Sequence, residues 1–421
     1  MQNNITKIIA EEIKDSRGNP TIKVTVFVGD KSGSFSVPSG ASTGIHEAHE
    51  LRDKDGKGVK DAILKVNNMI APLLIGQNVL EQEEIDGIMI ELDGTSNKDN
   101  LGANSMIGVS IAVAKVAAKV SGMEVFEYLR TIRLDSGQAS TKIKPSLQQG
   151  SGQARKAPHL YMNLINGGKH AKNNLAFQEY HVVSMIDDAK EACEIGLKVQ
   201  DSLKKIITRE LGEESLALGD EGGFAPKTTD IRKPLEFLVE AIKENNFENK
   251  TRLALDVASS SFYKDGLYEI DGKKITKEDL MKIYDSLIKE FNLFSVEDSF
   301  DEEDFEDFRK LREENKNLLV VGDDLTVSNK ILLKKAIEER SINAMIIKPN
   351  QIGTLTETLE TMQLARENDV ELIVSHRSGE TDDDFIADLA YAFCCFGLKA
   401  GSPIKPERMV KYQRLIKISQ E

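Results

Sequence analysis

Four short apolar runs each end in a residue that is costly to bury: Leu253-Ala254-Leu255-Asp256, Phe294-Ser295-Val296-Glu297, Leu319-Val320-Val321-Gly322-Asp323 and Met345-Ile346-Ile347-Lys348. Short apolar runs separated by helical stretches are the pattern of a parallel βα repeat. In a barrel of such repeats the C-terminal strand ends share one face, so three carboxylates and a lysine are expected to converge. Three hard oxygen donors, Asp256, Glu297 and Asp323, suit Mg²⁺. A lysine near metal ions, or partly desolvated, should have a depressed pKa, which makes Lys348 a candidate general base. Asp298 and Asp324 follow two of these carboxylates directly. Strand alternation sends adjacent side chains to opposite faces, so both are read as supporting residues rather than ligands.

The elements that must position this cluster are legible along the chain. Residues 5–37 alternate as strands do, most clearly in Thr21-Ile22-Lys23-Val24-Thr25-Val26-Phe27-Val28, and residues 57–130 read as helical. Strands followed by helices suggest a small α+β domain. The segment 134–158 is rich in Ser, Gly, Gln and Lys and poor in apolar residues, a composition for a linker or surface loop. Strand-like and helix-like runs then alternate to the end, as in an α/β barrel. The expected organisation is a cap over 1–133, a polar insertion over 134–158 and a catalytic barrel over 159–421.

Composition excludes several classes. The chain has 421 residues, 40% of them hydrophobic and 29% charged, enough for a sizeable core. A net charge of −14 without a basic block argues against a phosphate backbone as the main partner. The three cysteines have no zinc-site spacing and are odd in number; Cys394 and Cys395 read as buried packing. Met1 to Lys7 contains no apolar signal region, and Met106–Val120 is short for a membrane span and interrupted by Ser110, Lys115 and Lys119. It reads as a core helix ended by Ser121-Gly122. The expected compartment is the cytoplasm, with no membrane span.

The chain resembles the enolases over nearly its whole length. The resemblance is carried by DSRGNPT at 15–21, VPSGASTGIHEA at 37–48, LDGTSNKDNLGAN at 92–104, INGGKHAKNN at 165–174 and FQEY at 177–180. It continues in LGDEGGFAPK at 218–227, LALDVASSSFYKDGLY at 253–268, SVEDSF at 295–300, VVGDDLTVSN at 320–329, IIKPNQIGTLTET at 346–358 and SHRSGET at 375–381. It implies an N-terminal α+β cap on a modified α/β barrel whose second strand is antiparallel, and a homodimer. It also implies Mg²⁺-dependent, reversible dehydration of 2-phosphoglycerate to phosphoenolpyruvate. The chain departs from the pattern at Lys399-Ala400-Gly401-Ser402, at Lys405 and in the length of the polar segment before His159.

On that resemblance, Lys348 would remove the C2 proton, Glu221 would be the acid for the C3 hydroxyl, and Glu179 would support it. His170, Gln178, Arg377, Ser378 and Lys399 would bind substrate, Arg377 as a hydrogen-bonding fork for phosphate. Asp256, Glu297 and Asp323 would hold one Mg²⁺, and Ser42, in the glycine-flanked loop 39–44, would serve a second. His376 is a further candidate. His46, His49, His159 and His181 read as ordinary surface or core histidines, and the acidic run 301–307 as the solvated start of a helix. The alternatives are a scaffold of this fold without turnover, which loss of Lys348 or Glu221 would have favoured, and another dehydratase or racemase on a related barrel.

Overall fold

The structure, a computed structural model, describes residues 3–41, 44–132, 134 and 157–420. Ser42 and all of the 134–158 segment except Leu134, Ala157 and Pro158 lie outside the described residues.

The cap opens with an antiparallel sheet of β1 (Lys7–Lys14), β2 (Pro20–Val28) and β3 (Lys31–Ser36). Alternation on β2 buries Ile22, Val24, Val26 and Val28. Helices α1 (Lys60–Lys65), α2 (Ala71–Leu74), α3 (Gln82–Asp93), α4 (Ala103–Ser121) and α5 (Val125–Leu129) follow. The long apolar α4 lies against β2 and β3. Its backbone comes so close that a Cβ on Gly33 would stand 2.3 Å from the Val116 nitrogen, so the strand requires glycine there. The helix stops at Gly122 in the left-handed conformation, φ 68°. It is long and apolar enough to cross a membrane, yet 83% of its apolar window is buried inside the fold.

Eight strands close the barrel in the order β10-β11-β12-β13-β14-β4-β5-β6. They are β4 (His159–Asn166), β5 (Glu179–Ser184), β6 (Thr251–Asp256), β10 (Leu293–Glu297), β11 (Leu319–Gly322), β12 (Ala344–Ile347), β13 (Glu371–Ser375) and β14 (Gly397–Lys399). A small sheet of β7 (Tyr263–Lys264), β8 (Leu267–Ile270) and β9 (Lys273–Ile275) interrupts the repeat. The second barrel strand, β5, is antiparallel to both neighbours, and the other pairs are parallel. Helices α6 (Ala189–Leu211), α7 (Lys233–Glu244), α8 (Lys277–Phe291), α9 (Phe305–Glu314), α10 (Lys330–Glu338), α11 (Leu355–Glu367), α12 (Phe385–Ala392) and α13 (Pro406–Ser419) accompany the strands.

A small core of Tyr161, Val183, Ala254, Val321, Ala344, Ile346, Ile373 and Phe396 fills the barrel. Two residues further along the same strand faces stand Asn163, His181, Asp256, Asp323, Lys348 and Ser375. The period of two therefore carries the interior from an apolar plug to a polar floor. The cap meets this end of the barrel through a bridge between Ser39 and Gly379 and a hydrogen bond from Asn350 Nδ2 to the Pro38 carbonyl, 3.2 Å.

Candidate active site

Asp256 and Glu297 terminate β6 and β10, and Asp323 and Lys348 follow β11 and β12 directly. Asp256, Glu297 and Asp323 are buried and the Lys348 side chain is 14% exposed, and Asp256, Asp323 and Lys348 line one cleft with His170, Glu179, Glu221, Arg377 and Lys399. The cleft has four parts.

The first is the candidate base. Lys348 Nζ is paired with Asp323 Oδ2, and its backbone N–H donates to Ser328 Oγ at 2.8 Å. The expected depression of the lysine pKa is not observed. Burial is the strongest single influence and pushes it down, but the surrounding carboxylates, Asp323 foremost and then Glu297, together leave Lys348 above its ordinary value. Conversely, burial disfavours ionised Asp323, but Lys348 and Lys399 more than compensate and hold its carboxyl below the usual range. Gln351 Nε2 holds the other oxygen of Asp323 at 3.1 Å.

The second part is the carboxylate group. Lys399, placed with the substrate by resemblance, here puts Nζ 2.9 Å from Asp256 Oδ2, 2.8 and 3.0 Å from the Glu297 oxygens and 3.2 Å from Glu179 Oε2. Even so, Glu297 is pushed well above the usual carboxylate range by burial and then by Asp256. Gln178 Nε2 donates to Asp256 Oδ2 at 3.2 Å. Asp298 accepts the backbone N–H groups of Asp323 at 2.9 Å and Asp324 at 2.8 Å, which fixes the turn that aims Asp323. Asp298, Asp323 and Asp324 are close enough together to hold a cation, as are His170, Glu179 and Glu221.

The third part pairs two carboxylates of opposite character. Glu221 sits on the turn made by Gly219, Gly222 and Gly223; Gly222 has φ +88°, a conformation glycine adopts without strain. Burial and then the Glu179 charge raise the Glu221 pKa. Burial also works against ionised Glu179, but Lys399, His170 and His181 hold it well below the usual range. His170 Nδ1 lies between them, 3.2 Å from Glu179 Oε1 and 3.4 Å from Glu221 Oε1. The two carboxyls are pushed in opposite directions, the separation that acid–base work needs.

At the remaining end, the Arg377 guanidinium is gripped by Glu47, with contacts of 2.9, 2.9 and 3.2 Å. Ser378 Oγ accepts the Ala41 N–H at 2.7 Å, tying it to the loop that leads to Ser42. His376 is buried, with Nε2 3.4 Å from Glu221 Oε2, while Arg408 donates to its Nδ1.

Several participants went unread in the sequence. Asn163 Nδ2 donates to Glu221 Oε2 at 2.9 Å. His181, read as an ordinary histidine, places Nε2 2.8 Å from Glu179 Oε2. Its spacing of two from Glu179 on one strand was the available signal. Glu47 and Arg408 carried none, because their partners are distant in sequence. The acidic run is not simply solvated: Asp304 caps α9, but Glu302 accepts the Ile45 N–H at 2.9 Å and Glu303 meets His46 at 2.6 Å.

The sequence matches the family description "Enolase, N-terminal domain" over residues 5–129 and "Enolase, C-terminal TIM barrel domain" over residues 155–421. The chain belongs to the enolase family. A protein named enolase from Methanocaldococcus jannaschii is 45% identical over 423 aligned residues, covering 99% of this chain and 95% of its own. One of the same name from Methanococcus aeolicus is 43% identical over 425, with the same coverage.

Proposed function

We propose that this chain carries out the family's hydro-lyase reaction, the reversible dehydration of 2-phosphoglycerate to phosphoenolpyruvate, with Lys348 as the base and Glu221 as the acid. The single observation that carries the reading is the opposed pair Glu221 and Glu179 facing a buried lysine across one cleft. Lys348 Nζ takes the proton from C2, the bonding pair becomes the C2–C3 double bond, and the C3–O bond breaks. Glu221 gives its proton to the departing hydroxide, which leaves as water. Glu179 holds the hydroxyl end and, through its charge, keeps the proton on Glu221. Arg377 and Ser378 take the phosphate, with His170 and Gln178 lining the substrate's path.

Three hard carboxylate oxygens are the donor chemistry a divalent cation takes, although among the described residues the groups already within one ion's reach are Asp298, Asp323 and Asp324, and His170, Glu179 and Glu221. Asp256, Glu297 and Asp323 are buried together, and Glu297 resists ionisation even beside Lys399. We assign these three to one Mg²⁺ and Ser42 to a second, two per site. Bound there, Mg²⁺ would neutralise the negative charge that builds on the substrate carboxylate. A cation held by Asp323 would weaken the pairing of Asp323 with Lys348. Lys399 would then hold the carboxylates in place and its charge near the substrate carboxylate.

We further read the chain as cap 1–133, connecting segment 134–158 and barrel 159–421, and the protein as a cytoplasmic homodimer acting in glycolysis and gluconeogenesis. A scaffold without turnover is not favoured, since relatives named enolase match nearly the whole chain. The test follows phosphoenolpyruvate absorbance with Mg²⁺ and with EDTA. Magnesium-dependent formation is expected, and turnover unaffected by chelation would overturn the assignment.

A further inference from the structure

His181 stands two residues from Glu179 on β5, so both side chains face the barrel interior. It is 1% exposed. Its ring meets Tyr161 edge-on with centroids 6.0 Å apart, Nε2 lies 2.8 Å from Glu179 Oε2, and Nδ1 has no hydrogen-bond partner among the described residues. An ionised carboxylate only accepts, so this contact puts a proton on Nε2. An aliphatic side chain would pack on Tyr161 equally well without leaving Nδ1 unsatisfied. What imidazole adds is one N–H aimed at Glu179.

That donor completes the set around Glu179. Lys399 lies 3.2 Å from the same oxygen, and His170 Nδ1 3.2 Å from the other. Lys399 and His170 stand at ion-pair distance, whereas His181 Nε2 makes a hydrogen bond to the carboxylate and so sets its direction, and cationic neighbours and an N–H donor alike favour its charged form. Glu221 has a different set, with Asn163 donating to Oε2 and His170 Nδ1 3.4 Å from Oε1. Lys348 is anchored separately, by Asp323 and Ser328.

We propose that His181 is a positioning residue for the dehydration step: its Nε2–H fixes Glu179 as a correctly aimed, charged carboxylate, so that Glu221 retains the proton it delivers to the leaving hydroxyl. The inference rests on the assignment of Glu221 as acid and Glu179 as its partner. Because Lys348 is anchored elsewhere, proton removal from C2 does not depend on His181, and the two half-steps separate. His181→Leu should lower kcat for dehydration by about 10- to 100-fold, the worth of one hydrogen bond to a charged group. KM and exchange of the C2 proton with deuterated solvent should stay near the unsubstituted values.

His181→Gln places an amide nitrogen where Nε2 stands and should restore most of the loss, whereas His181→Asn, one atom shorter, should not. Thermal unfolding of each variant reports folding, and the Gln and Asn comparison decides even if the leucine variant does not fold. Equal loss of exchange and dehydration, or a glutamine variant no better than the asparagine one, would show that His181 only fills space and would overturn the proposal. Glu221→Gln in the same assays isolates the underlying assignment. If it dehydrates normally, the acid is wrong whatever His181 does.

Discussion

Lys399→Met removes one charge from a point where three buried carboxylates meet, while keeping a long, unbranched stem. Lys399 Nζ lies 2.8 to 3.2 Å from oxygens of Glu297, Asp256 and Glu179, and the side chain is 2% exposed. Removing one partner of a buried ion pair costs about 3–5 kcal/mol, because the charges left behind lose their compensation. For 421 residues, an unfolding entropy of about 2.1 cal/mol/K per residue gives about 0.9 kcal/mol/K, so Tm should fall by roughly 3–6 °C. That shift applies in EDTA. Mg²⁺ binding to the carboxylates released from Lys399 should stabilise the folded state, so Mg²⁺ should raise the Tm of the variant by more than it raises that of the unsubstituted protein. Circular dichroism melts of both proteins, with EDTA and with Mg²⁺, read all four values. The same Tm difference in both conditions, or none in either, would refute the claim that Lys399 and a cation neutralise one set of carboxylates.

Asp323→Asn keeps the shape of a proposed ligand and removes its charge. It should raise the Mg²⁺ concentration for half-maximal activity by at least ~10-fold, the lower end of what losing a supporting partner one layer further out costs. An unchanged Mg²⁺ titration would remove Asp323 from the ligand set. Burial and the neighbouring Asp323 push Asp324 from 3.8 up to about 8. A carboxyl with a raised folded pKa binds its proton more tightly when folded, so in EDTA stability should decline as pH rises through this interval. Asp324→Asn should flatten that decline, and Tm against pH for both proteins checks it.

How much the sequence disclosed follows from the range of each interaction. Asp256, Glu297, Asp323 and Lys348 were legible because each ends an apolar strand, and strand period plus barrel closure dictate where such ends go. Asp298 was read as a supporting residue from the same alternation; its carboxylate accepts the backbone N–H groups of Asp323 and Asp324 and also lies within one cation's reach of both. The antiparallel β5 came from resemblance, since periodicity does not encode strand direction. The pairing of Arg377 with Glu47 joins residues 330 positions apart, and Lys399 reaches Asp256 across 143, so no local pattern announces either. The raised rather than depressed pKa of Lys348 was out of reach for a related reason. Burial was foreseeable from the apolar run, but its competition with Asp323 depends on a contact that only the folded barrel makes. His181 was misread although its spacing was visible, because a histidine on a buried strand is usually packing, and what distinguishes this one is the direction of Nε2.

On the proposed mechanism, Lys348 removes the C2 proton and Glu221 acts after it has left. Exchange of that proton with deuterated solvent, followed by NMR on 2-phosphoglycerate with Mg²⁺, tests it directly. Lys348→Ala should lose exchange and dehydration together, and Glu221→Gln should lose dehydration while retaining exchange, each loss being about 10²- to 10⁴-fold. Robust exchange by a folded Lys348→Ala protein that still binds substrate would contradict the account.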